Sequence, residues 1–105
     1  MSKKTIFEND VDTNVGLDDK IEEPRLYKVV LLNDDYTTMD FVTEILMIIF
    51  HKTKDDAVKI MLDVHNKGKG IVGIYSYDIA VTKIKQTEEM AIKNGFPLKA
   101  ELEEE

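Results

Sequence analysis

The sequence predicts a small α+β domain in which a three-stranded antiparallel sheet packs against three helices, in the order β-α-α-β-α-β. Three observations lead there. The 105 residues suit one compact domain. Short apolar segments rich in β-branched residues, bounded by Pro or Gly, read as strands. Between them run longer segments with apolar residues three and four apart, each opened by a Ser or Thr that suits a helix start.

Residues 1–23 show neither period, so a flexible, disordered extension is expected there, with the folded core over 24–105. Pro24 closes the extension, and "RLYKVVLL" alternates as a strand does. "TTMDFVTEILMIIF" predicts the first helix, with Thr37 as its cap and Asp40 at the capping-box spacing. That segment is apolar nearly all round, which predicts deep packing. His51 and Lys52 make a turn, and Thr53 with Asp56 repeats the cap pattern. The second helix is expected to end near Lys67, with Ala57, Ile60, Met61 and Val64 on one face. "KGKGIVGIYS" predicts a second strand. Ser76 opens a third helix that Gly95 and Pro97 stop, and "PLKAEL" is the last strand.

Composition excludes several classes. The net charge of −7 resides at the two ends, because residues 24–100 carry ten acids against eleven bases. A nearly neutral core has no electrostatic footprint for nucleic acid. No apolar run reaches the ~18 residues of a membrane helix. No secretory leader is expected from "MSKKTIFENDVD". The chain has no cysteine, which rules out disulfides and thiolate catalysis and fits a cytoplasmic location.

"LLNDDYTTMDFV", residues 31–42, puts three side-chain acceptors where a strand hands over to a helix. One reading is a turn, since Asn and Asp accept local backbone bonds and acids suit a helix N-terminus. The other is a site. His65 lies four residues after Met61 and shares its helix face. Asn33, Asp34 and His65 together would offer a carbonyl, a carboxylate and an imidazole to one ligand. A primary ammonium has three donors and no acceptor, and suits such a set. Met39, Val42, Met61 and Val64 would line a slot for the attached side chain, or simply pack the core. Asp34, Asp35, His51 and His65 are also zinc-ligand types. His51 falls in the turn between helices, away from the acceptors, so no metal is expected. No nucleophile motif appears, so no enzyme is expected either.

"LYKVVLLNDDYTTMDFV", "MLDVHNKGKGIVGIYSYDIAVTK" and "PLKAELEE" resemble the ClpS family, adaptors that deliver N-degron substrates to the Clp protease. The resemblance covers residues 24–103. It implies binding of proteins whose first residue is Phe, Tyr, Trp or Leu. Asn33, Asp34 and His65 would hold the substrate's α-amino group, with Asp35 and Thr37 at the rim. Met39, Val42, Met61, Val64 and Leu98 would line the side-chain pocket. Tyr36, Asp78 and Lys83 match positions that dock on the N-terminal domain of the ClpA unfoldase, and residues 1–23 match the extension engaged during hand-over. The expected protein is a monomer that needs no cofactor and binds neither nucleic acid nor membrane. Thr38 stands where the family commonly has Pro, and Pro at a helix start is favoured but not required. Asp35 is expected to serve mainly the helix cap. His65 would accept from the ammonium and so must be neutral. Histidine titrates near ~6.5, so binding is expected to weaken below about pH 6 unless Asp34 offsets the added charge.

Overall fold

The computed structural model describes residues 25–105. The expected extension over 1–23 lies outside them. The elements are β1 (Leu26–Leu32), α1 (Met39–Ile48), α2 (Lys54–Lys67), β2 (Lys69–Ser76), α3 (Tyr77–Lys93) and β3 (Lys99–Glu104). This is the expected α+β order. β1 is the central strand, with β2 and β3 antiparallel on either side. The alternation in β1 puts Val29 and Leu31 on the helix-covered face, both fully buried. Ile71 and Ile74 of β2 stay exposed on the other face.

α3 crosses all three strands, while α2 packs on β2 and on α1. Val42, Ile45, Leu46, Ile49 and Phe50 bring α1 and the turn after it into the core. Phe41 meets Phe96 at 4.7 Å between ring centroids, tying α1 to the end of α3. Yet α1 is not sheathed all round, because Met47 and Ile48 are exposed. An apolar pattern without a polar stripe gives the length of a helix well, but not which flank its neighbours cover.

Helix starts refine the expectation. Thr38, not Thr37, is the N-cap of α1, and its hydroxyl accepts from Phe41 N at 3.1 Å. Thr53 caps α2 as expected, accepting from Asp56 N. Ser76 holds the cap position of α3, but its hydroxyl makes no capping bond. Gly68 ends α2 at φ 90, the left-handed conformation that glycine enters at little cost.

Lys83 joins two elements far apart in sequence. Its Nζ donates to Ile49 O at 2.8 Å, at the C-terminal end of α1 where the helix dipole favours a cation. The same ammonium lies 5.7 Å and 5.8 Å from the ring centres of Phe50 and Tyr75. Lys83→Met keeps the stem and removes both interactions. It is expected to cost about 1–2 kcal/mol in urea unfolding. An unchanged midpoint would make Lys83 a surface residue.

Candidate functional site

The hand-over from β1 to α1 is built on the end of α2. Leu32 pairs with Lys69, and one residue later Asn33 N donates to Gly68 O at 2.9 Å. Gly68 N in turn donates to Val64 O. The end of the central strand is therefore sewn to the last turn of α2, where Val64 and His65 sit. Gly70 permits this approach, since a Cβ there would lie 2.9 Å from Val64 Cγ2 and 3.1 Å from Ile60 O.

Asp34 then turns the chain. Its Oδ1 accepts from Tyr36 N at 2.8 Å and Thr37 N at 2.7 Å, and its Oδ2 from the Thr37 hydroxyl at 2.6 Å. Partial burial of the carboxyl opposes its charged form, but the three hydrogen bonds outweigh it and hold the group below its ordinary 3.8. Asp34 is thus ionised near neutral pH and fixed in place, with one lone-pair site on Oδ2 still open. Asp35 is exposed and accepts no hydrogen bond among the described residues, so the capping role expected of it belongs to Asp34 and Thr38.

These residues surround a cavity of about 500 Å³. Asn33, Asp34 and His65 line it, with Asp35, Tyr36, Thr37 and Thr38 from the turn. Met39 and Val42 reach it from α1, one turn apart, and Met61 and Val64 from α2. Val42 and Val64 are buried and serve as floor and core at once. Met39 is 47% exposed and stands at the mouth. Leu98 is not brought to this cavity. It is 2% exposed and belongs to the central hydrophobic cluster. Its position just before β3 points it into the main core.

Tyr36, Asp78 and Lys83 are divided between two places. Tyr36 borders the first cavity, whereas Asp78 and Lys83 line a second one of about 590 Å³ with Ile48, Ile49, His51, Ile79, Thr82 and Gln86. His51 is held there at φ 56, so it does not join Asp34, Asp35 and His65. Among the described residues no group of three or more His, Asp and Glu is placed to hold a metal ion. No described helix is long and apolar enough to cross a membrane. Sequence reasoning missed Thr38 as a lining residue and Asp34 as the organiser of the turn. The spacing Asp34-x-x-Thr37 is the signal for the second, since an Asp side chain commonly bonds the backbone two and three residues on.

A cavity lined by acceptors and apolar side chains, on a small α+β scaffold, has the form of a binding domain and not of a catalytic centre. Comparison with known proteins gives the family. The family described as "ATP-dependent Clp protease adaptor protein ClpS" matches residues 22–101, and the chain belongs to the ClpS family. An ATP-dependent Clp protease adapter protein from Acetivibrio thermocellus is 58% identical over the whole of both chains. Its namesake from Syntrophus aciditrophicus is 55% identical over 90% of this chain and 89% of its own. The structure of Agrobacterium tumefaciens ClpS2 bound to L-phenylalaninamide is 41% identical, with a TM-score of 0.77 over 79% of this chain and all of that one. Family membership makes this chain a non-catalytic adaptor of a Clp protease, with a Clp AAA+ unfoldase and its substrates as partner classes.

Proposed function

We propose that the first cavity binds the free α-amino group and large hydrophobic first side chain of substrate proteins, which the chain delivers to a ClpA-type unfoldase in the cytoplasm. The carrying observation is that one cavity is lined by both acceptors and apolar side chains. Asn33, Asp34 and His65 offer acceptors, while Met39, Val42, Met61 and Val64 offer apolar surface for a slot. L-Phenylalaninamide, bound to the Agrobacterium relative, combines a free amine with a benzyl side chain and suits both kinds of lining. Burying Phe or Leu in the slot is worth ~1.5–3 kcal/mol. Acetylation of the amine removes its charge and two donors, leaving acceptors unpaired at ~1–3 kcal/mol. Unfoldase docking is assigned to Tyr36, Asp78 and Lys83. Lys83 has already spent one of its three N–H donors on Ile49 O, so two remain for a partner.

Fluorescence anisotropy with labelled peptides tests the reading. Peptides beginning with free Phe, Tyr, Trp or Leu are expected to bind at least tenfold more tightly than N-acetylated or Ala-first versions. Equal affinity for acetylated peptide would leave a general apolar groove that binds peptides or helices without regard to their N-terminus.

A further inference from the structure

The Cα of a first residue carries three heavy substituents. The amine faces Asn33, Asp34 and His65, and the side chain faces the apolar slot. The carbonyl can meet the rest of the lining, which is Asp35, Tyr36, Thr37 and Thr38. A carbonyl oxygen there needs a donor. The side chain of Asp35 offers only acceptors when ionised. Thr37 gives both its N–H and its hydroxyl proton to Asp34, and Tyr36 gives its N–H to the same carboxylate. The Tyr36 side chain is 76% exposed, so its phenol keeps its water. Thr38 differs. Its oxygen accepts from Phe41 N, while its hydroxyl proton is donated to no acceptor among the described residues.

We propose that Thr38 is a specificity-determining residue of this pocket, donating its hydroxyl proton to the carbonyl oxygen of the ligand's first residue. This rests on the function proposed above. The hydroxyl acts twice, as acceptor for the first turn of α1 and as donor to the ligand. The pocket then favours peptides and amino amides over simple arylalkylamines, which share the ammonium and the ring but lack the carbonyl.

The test compares L-phenylalaninamide with 2-phenylethylamine by calorimetric titration. Wild-type protein is expected to prefer the amide about tenfold or more. Thr38→Ser keeps the donor and the preference. Thr38→Val loses the donor, and the preference is expected to fall about fivefold. Thr38→Pro is the second donor-free variant, should the valine variant fold poorly. The φ of −75 at this position suits proline, and Thr38 N donates no hydrogen bond among the described residues. Losses of equal size for both ligands in these variants would overturn the proposal. They would confine Thr38 to capping and leave the carbonyl to the first-turn amides of Met39 and Asp40. A wild-type protein that binds both ligands equally overturns it as well. One that binds neither overturns the reading of the pocket, and the proposal with it.

Discussion

Asp34→Ala is expected to weaken binding of a free Phe-first peptide on the order of a hundredfold and to destabilise the fold by about 1–2 kcal/mol. The two losses have separate causes. Under the proposed function, binding loses the negative charge opposite the ammonium, a contact between ionised partners that is about twice as strong as a neutral one. Stability loses the acceptor for Tyr36 N, Thr37 N and the Thr37 hydroxyl. Asp34→Asn separates them, because an amide oxygen keeps part of the turn while the charge is gone. Asp35→Ala is the control. Asp35 has no hydrogen-bond partner among the described residues, so the fold is expected to be unaffected and binding to fall by less than tenfold. Equal binding losses for Asp34→Ala and Asp35→Ala would show that the ammonium does not choose between the two carboxylates.

The stability loss has a pH signature. The carboxyl of Asp34 sits below its ordinary 3.8 in the folded chain. A depressed carboxylate contributes stability that is fully present above its unfolded value and disappears as pH falls through the folded one. The gap between wild type and Asp34→Ala in urea unfolding should therefore be full at pH 7. It should close below about pH 3.8, as the hydrogen-bonded carboxylate takes up its proton. A gap independent of pH would assign the loss to altered packing around the turn.

The sheet, the three helices and their order were legible because each carries a period and a boundary residue that agree with the tertiary structure. β1 alternates, α2 and α3 show spacings of three and four, and Gly68 and Gly95 stop their helices at positive φ. What was not legible depends on direction in space. Two adjacent threonines satisfy the same capping pattern, and only the backbone geometry selects Thr38 for Phe41 N and Thr37 for Asp34. Leu98 and Val64 are equally buried, yet only Val64 also faces the cavity. Lys83 reads as a solvated lysine until Ile49 O is found beside it, 34 residues earlier in the chain. The acceptors of the site were identifiable by type. Their meeting at one cavity was not, since it depends on the bond between Asn33 N and Gly68 O.

That junction leads to a prediction at a residue with no functional atom. Gly70→Ala is expected to cost about 1–3 kcal/mol and to weaken peptide binding at least tenfold. Gly70 is buried where β2 passes under α2, and an added Cβ would meet Val64 Cγ2 at 2.9 Å, Ile60 O at 3.1 Å and Val64 N at 3.3 Å. The side chain of Val64 lines the cavity and can give way into it, whereas the two backbone atoms move only with the helix. Either response alters the slot between Val64 and Met61 and displaces His65, one residue on. Gly68→Ala supplies the contrast. Nothing lies within 4 Å of a Cβ there, so its cost comes from φ 90 alone, about 1 kcal/mol, with little change in binding. Circular dichroism melts and peptide anisotropy on both variants read the two effects. If Gly70→Ala loses stability while keeping full affinity, the position of α2 does not set the pocket. If the two glycine variants behave alike, backbone conformation and not space is what glycine supplies at this junction.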